Sequence, residues 1–425
     1  MNDTDVRASS PRYTAYVVGV LVTVYMVHHI DRQIVTLLLE PIRKEFLLSD
    51  TQLGLLAGLA YAIPFALAGI PLGLLIDRTH RVRLLAGLIT VWSALTALCA
   101  FTGSFWALVL ARIGVAAAES GATPSNVSII SDYVPEQKRA SALGIYYMGP
   151  QLATMVGFAV AGVVAAAWGW RAAFLVAGLP GLLLALLVWR TIREPPRTAS
   201  LPGPSVSTAN AGPTFRQLVA AFRMRPAALH LVIGSTLINV VAAALSTWLP
   251  ALMIRGHGLD VKQVGLAIAF GIAPLGALGS LVAGRVADRL AVRDPVNVPR
   301  MLAISTLVTI PSAAYGIYAG QVELLVAAFA LQSFAHLSTV APAYAGTLAL
   351  MPGDMRGSTA ATMQVASNVL GYGVGTQLVG LLSDWFGGGG AVASLRPAML
   401  IVALLNVWPL FHFLRAAQAM RARSQ

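Results

Sequence analysis

Four charged side chains, Asp31, Arg32, Arg112 and Glu119, stand inside long apolar runs. On insertion scales a charge at the centre of a membrane helix costs about 2.5–3.5 kcal/mol, so such groups serve binding, ion or proton movement, or a helix-locking ion pair. Arg112 and Glu119 are seven residues apart, which places them on one helix face about 10.5 Å apart along the axis. Asp31 and Arg32 are adjacent in an earlier run, and adjacent helical residues do not face the same way. The economical arrangement brings Glu119 and Asp31 within reach of Arg112 across a water-filled cavity. A carboxylate there would titrate: burial favours its neutral form, a nearby guanidinium favours its ion, and filling the cavity shifts the balance. That is the physical requirement for proton coupling, so the proton is the expected coupling ion. The competing reading is that these residues form ion pairs holding helices together.

The elements that carry them must be membrane helices. Charged residues are 11% of the chain and apolar residues 57%, against about 25% charged in a soluble domain. So few charges cannot cover a soluble surface, and lipid must cover it instead. Twelve runs are long enough for a span of about 20 residues: 15–38, 51–76, 83–103, 105–131, 141–167, 171–192, 228–254, 262–287, 300–320, 322–350, 357–384 and 396–416. The expected fold is an all-α membrane protein with twelve transmembrane helices. An even count puts both termini on one side, and 21 of the 29 basic residues fall there, against 6 on the other side and two, Arg32 and Arg112, inside spans. That asymmetry predicts cytoplasmic termini. It also accounts for the net charge of +12 as a topology signal, so no nucleic-acid partner is expected. The single cysteine, Cys99, forms no intramolecular disulfide. There is no metal cluster, no nucleophile with a base at helical spacing and no phosphate loop. No enzyme activity, cofactor or metal is expected.

A short motif occurs twice. Gly73-Leu-Leu-Ile-Asp77-Arg78 returns as Gly284-Arg-Val-Ala-Asp288-Arg289, 211 positions on, with Gln52 matching Gln263 and Gly54 matching Gly265. Pro135-Glu-Gln-Lys-Arg139 returns as Pro352-Gly-Asp-Met-Arg356 at an offset of 217. The added six residues fit the loop after Asp288. A chain that repeats itself at half its length is two copies of one ancestral half, and in a chain this apolar that points to a transporter of two similar helical bundles. The expected division is 1–192 for the first six helices, 193–227 for a cytoplasmic linker and 228–425 for the second six. The linker is Pro/Ser/Gly-rich to Pro213 and reads as flexible. Phe215, Leu218, Val219 and Phe222 then form an amphipathic turn or two expected on the cytoplasmic membrane face.

The offsets also compare the two halves residue by residue. His336 falls opposite Glu119, and imidazole titrates near neutrality, which makes it the one titratable counterpart in the second half. Asp31 maps to Ala242, Arg32 to Ala243 and Arg112 to Phe329, so the buried charge is not duplicated. Tyr147 and Gln151, one turn apart, map to Gln364 and Asn368. These four are candidates to line a cavity, as are Asn239 and Trp248; interhelical hydrogen bonding is the alternative. His28 and His29 are adjacent, only one can face inward, and neither is assigned a role.

The whole chain resembles the major facilitator superfamily. Gly73-x-x-x-Asp77-Arg78-x-x-Arg81-x-Arg83 is similar to its signature loop, with His80 where Gly is usual, and Trp170-Arg171-Ala-Ala-Phe174 is another shared feature. Ile30-Asp31-Arg32, Arg112-Ile-Gly114-x4-Glu119 and Arg193-Glu-Pro-Pro-Arg197 together resemble the spinster-like branch, with Ala-Ala-Ala-Glu119-Ser departing from the more usual Gly-rich setting of the Glu. The resemblance implies a cytoplasmic gate of Asp77, Arg78, Arg81, Arg83, Asp132, Asp288 and Arg289, with Arg81 and Arg83 as solvated loop charges the competing reading. Animal members of the branch carry lysophospholipids and sphingosine phosphate.

The expected function is secondary active transport by alternating access, proton-coupled, of an amphipathic lipid such as a lysophospholipid or sphingoid phosphate. A small organic anion read by Arg112 and Arg32 is the alternative, and a non-transporting membrane receptor the second. The lipid bilayer and the substrate are the expected partners of a monomer in a bacterial inner membrane. Symport and antiport stay open.

Overall fold

The computed structural model describes residues 10–195 and 215–424, all helix and connecting turns with no strand among them. Arg7 and Arg197 lie outside the described residues, and so does the Asp77 side chain. Eleven apolar helical segments follow one another: α1 (Pro11–Phe46), α2 (Asp50–Ile76), α3 (Arg81–Cys99), α4 (Phe105–Tyr133), α5 (Gln137–Thr191), α6 (Pro226–His257), α7 (Val261–Arg293), α8 (Asn297–Tyr318), α9 (Val322–Leu350), α10 (Gly353–Trp385) and α11 (Val392–Ala422). As one rod, the 55 residues of α5 would measure about 80 Å, more than twice the hydrocarbon core. The rod is broken at Gly169, whose φ of 82° lies in the left-handed region that glycine adopts freely. Two spans therefore share α5, and the crossings number twelve.

α1 outruns the apolar stretch 15–38 by eight residues at its C-terminal end. Hydropathy falls at Glu40, Arg43 and Lys44, but helical bonding does not, because Arg43 donates to Glu40 one turn back at 3.2 Å. The helix stops at Leu47, with φ 54°.

Two compact units emerge from the packing. Among the described residues, unit one holds 10–47, 60–195 and 260–266; unit two holds 48–59, 215–259 and 267–424. Trp92, Leu21, Val24 and Val188 centre the core of the first, and Leu231, Ile238, Leu302 and Phe413 that of the second. Large apolar side chains also face outward: Leu67 is 69% exposed, and Ile70 and Leu183 72%. In a membrane protein acyl chains cover such residues.

The repeat has a structural cause. Ser49 and Gln52 form a reciprocal capping box at the start of α2, and Asp260 and Gln263 form the same pair of bonds at the start of α7 (2.7 and 3.0 Å). These boxes satisfy orphan amide groups at a helix N-terminus. One turn on, Gly54 packs on Gln377 within unit two, and Gly265 packs on Phe158 and Gly162 within unit one. Each box is followed by a π-helical turn, Leu55–Leu59 in α2 and Ala267–Ile272 in α7.

A methyl placed on Gly265 would clash with the carbonyl oxygen of Phe158. Backbone must yield to admit it. Gly265→Ala is expected to destabilise the protein by about 1–3 kcal/mol, as overpacking does. A melting temperature within error of the parent's would count against this packing.

The amphipathic segment is helical over Phe215–Arg223 but does not use the membrane for its apolar face. Leu218, Ala221 and Phe222 are buried against Ala228 and Met351, while Arg216, Gln217 and Arg223 are exposed. Protein packing in unit two takes the place expected of lipid.

Candidate functional site

Four helices of unit one meet around the intramembrane charges. α1 presents His28, with Asp31 three and Arg32 four residues further on at either side of its face. α2 adds Tyr61, α3 adds Trp92 and Thr96, and α4 adds Arg112 and Glu119. Asp31 is 1% exposed, Arg112 2% and Glu119 0%. Thr96 donates to Asp31 Oδ2 at 2.6 Å. Tyr61 donates to Glu119 Oε2 at 2.5 Å. His28 Nε2 lies 3.5 Å from the same oxygen and 3.4 Å from the Tyr61 hydroxyl. The guanidinium groups of Arg32 and Arg112 stand 4.8 and 5.6 Å from the centre of the Tyr61 ring.

This brings together the four residues expected from the sequence, with different bonds. Arg112 donates to the backbone carbonyl of Asp31 at 3.4 Å, and the hydrogen bond to Glu119 comes from Tyr61. Asp31 Oδ1, Glu119 Oε1, Arg112 Nε and His28 Nδ1 are buried without a hydrogen-bond partner. A polar atom left so forfeits about 1–3 kcal/mol. Tyr61, Thr96 and His28 were not assigned from the sequence.

His336 lies on α9 in unit two, with Nδ1 buried and unpaired. Of the cavity candidates in unit one, Tyr147 is half exposed and packs edge-on against Tyr25 and Tyr146; Gln151 Oε1 has no hydrogen-bond partner. In unit two Gln364 is exposed, while Asn368 and Asn239 donate to their own helices, at Gln364 O and Ser235 O. Trp248 corrects the expectation: it is 0% exposed and its indole N–H donates to the Thr376 carbonyl at 2.9 Å. That is a packing position, not a cavity wall.

At the start of α3, Arg81 is 4% exposed and organises a network. It donates to Asp132 at 2.5 Å, Ser128 at 2.8 Å, Glu194 at 2.8 Å and the Pro195 carbonyl at 3.1 Å. Glu194 also accepts the Val82 amide at 2.8 Å, capping α3, and stands 3.0 Å from His80. The Arg193-Glu-Pro-Pro motif therefore contributes a partner of Arg81 that was not among the candidates. Arg78, Arg83, Asp288 and Arg289 are exposed, whereas Arg81 is buried. The Trp170-Arg171 pair has a bond of its own: both donate to Glu45, at 2.7 and 2.6 Å.

Unit two contains a buried ion pair of its own. Arg255 grips Asp50 with two bonds of 2.7 and 2.8 Å. Ser383 donates to Asp50 at 2.6 Å, and Asp384 accepts the backbone amides of Asp50 and Thr51. Asp50 comes from the first sequence repeat and its partners from the second.

The Major Facilitator Superfamily profile matches residues 21–298. The chain belongs to the major facilitator superfamily. An MFS-type efflux pump of Mycolicibacterium smegmatis is 32% identical to it, over 93% of this chain and 91% of that one. A probable L-galactonate transporter of Escherichia coli is 30% identical over 62% and 59%. Among solved structures, a bacterial homologue of the human lysosomal transporter Spinster, in an inward-facing and unoccupied conformation, superposes with a TM-score of 0.88 at 26% identity, covering 97% of this chain and 99% of that one. This superfamily member is an integral membrane transporter, and its fold and relatives are those of transporters rather than enzymes.

Proposed function

We propose that the protein is a proton-coupled secondary transporter that works by alternating access and moves an amphipathic, lipid-like substrate of the lysophospholipid or sphingoid-phosphate class. The buried cluster of His28, Asp31, Arg32, Tyr61, Arg112 and Glu119 carries the proton part of this reading. It gathers two carboxylates and two guanidinium groups around Tyr61 and leaves one oxygen of each acid without a partner. Taking up a proton there removes a charge that is expensive to bury. The likeness to the Spinster homologue supports the lipid part. Two bundles, 1–192 and 228–425, joined by the linker 193–227, would rock as a monomer in a bacterial inner membrane, with both termini cytoplasmic on the basic side.

A small organic anion is the second reading. The observation in its favour is that Arg32 and Arg112 flank one aromatic ring inside the membrane, alongside a relative named for a sugar acid. Thermal stabilisation of the purified protein separates the two, because a ligand stabilises the state it binds. At about 100 times its dissociation constant a ligand adds about 2.7 kcal/mol. Lysophospholipids and sphingoid phosphates are expected to raise the melting temperature at concentrations where short-chain phosphates and organic acids do not. The reverse pattern would overturn the lipid assignment.

A further inference from the structure

Tyr61, an uncharged member of the intramembrane cluster, touches both of its arginines, His28 and Glu119. Tyr61 is 2% exposed. Its hydroxyl donates to Glu119 at 2.5 Å and lies 3.4 Å from His28, and its ring faces both guanidinium groups. The groups that face it are His28 and Arg32 of α1 and Arg112 and Glu119 of α4, with Asp31 held on Thr96 of α3 beside them. Tyr61 also occupies a particular place along α2. The π-helical turn Leu55–Leu59 ends two residues before it. Residues up to Leu59 group with unit two and residues from Ala60 with unit one. Within unit two the turn is closely packed: a methyl on Gly58 would lie 2.9 Å from the carbonyl oxygens of Tyr372 and Gly373. π-turns interrupt the regular helical ladder and recur at functional sites.

We infer that Tyr61 is the positioning residue through which the proton on Glu119 acts on α2. This rests on the proton-coupled reading above. An ionised Glu119 only accepts hydrogen bonds, and a phenol donating to it makes a charge-assisted bond about twice as strong as a neutral one. Protonation gives the carboxyl its own O–H and removes that advantage. The anchor of α2 next to the π-turn then weakens, and Leu55–Leu59 changes its opening equilibrium. No bond is made or broken except the transferred proton's: it arrives from water on one side of the membrane, resides on a Glu119 oxygen and leaves to water on the other side.

Hydrogen exchange of the full chain in nanodiscs, followed by mass spectrometry on peptides covering 55–59 and corrected for the intrinsic pH dependence of exchange, tests this. The parent protein is expected to show a pH-dependent step in protection at these amides, and Glu119→Gln to abolish it. Tyr61→Phe removes only the hydroxyl. It is expected to displace the midpoint of the step by about one to two pH units, the worth of a hydrogen bond to a charged group. A fluorotyrosine at position 61 keeps the shape and strengthens the donor, so it is expected to displace the midpoint in the opposite sense; it also serves if the Phe variant does not fold. A step abolished by Glu119→Gln but unmoved by both Tyr61 replacements would overturn the role of Tyr61 and leave the proton site standing. A step that persists in Glu119→Gln would remove the proton site itself.

Discussion

Glu119→Gln is expected to lose pH-gradient-driven uptake in proteoliposomes while keeping the fold. One pH unit is worth 1.36 kcal/mol per proton, a factor of ten. With one proton per substrate and a gradient of about two units, the coupled parent can accumulate substrate about 100-fold. The variant is expected to reach only the outside concentration. Glutamine matches glutamate in shape, and its amide oxygen can still accept from Tyr61, whose hydroxyl sits 2.5 Å from Glu119 Oε2. The change therefore removes a titrating group from a site that is 0% exposed without opening a hole. Exchange of labelled for unlabelled substrate without a gradient needs no net proton movement and is expected to survive, with the substrate taken from the stabilisation screen. Full gradient-driven accumulation by the variant would remove Glu119 from the proton path. Loss of both accumulation and exchange would instead place Glu119 among substrate contacts.

Much of this cluster can be read from sequence because its members are charged. Asp31, Arg32, Arg112 and Glu119 stand out wherever the background is Leu, Val and Ala. Tyr61, Thr96 and His28 do not, since hydropathy scores them as ordinary membrane residues and their importance is a matter of distance. The register of the repeat was legible for a similar reason: Gln52 with Gln263, and Gly54 with Gly265, are matched by the same capping bonds and the same close helix packing. Trp248 was misread because a tryptophan can serve a cavity or a core, and only the bond to Thr376 decides. The segment Phe215–Arg223 has the amphipathicity of a surface helix, and no pattern within it says whether lipid or protein covers the apolar face. Glu194 was visible as part of a motif but not as a ligand of Arg81, because the two are 113 residues apart.

The same blindness to distance hid Asp50 and Arg255, which stand 205 residues apart. Folded, they are 0% and 4% exposed at their side chains. Their separation in a low-dielectric setting makes the effect of breaking the pair large. Arg255→Leu leaves the Asp50 carboxylate buried with Ser383 as its side-chain donor, and is expected to destabilise the protein by about 3–5 kcal/mol. Asp50→Leu takes from the Arg255 guanidinium, which lies 5.9 Å from the Trp248 ring centre, both of its bonds to that carboxylate, at a similar cost. Combining the two substitutions removes both charges, and an apolar pair in place of a buried ion pair is often neutral or stabilising by about 1–4 kcal/mol. The double variant is therefore expected to recover most of the loss, giving a coupling energy of several kcal/mol in the cycle. Steric-trap unfolding in bicelles, which reads free energy without relying on reversible heat denaturation, measures all four corners. Single variants within about 1 kcal/mol of the parent would mean that the pair behaves as an exposed one, and that Asp50 is held by Ser383 and by the backbone geometry around Asp384 rather than by Arg255.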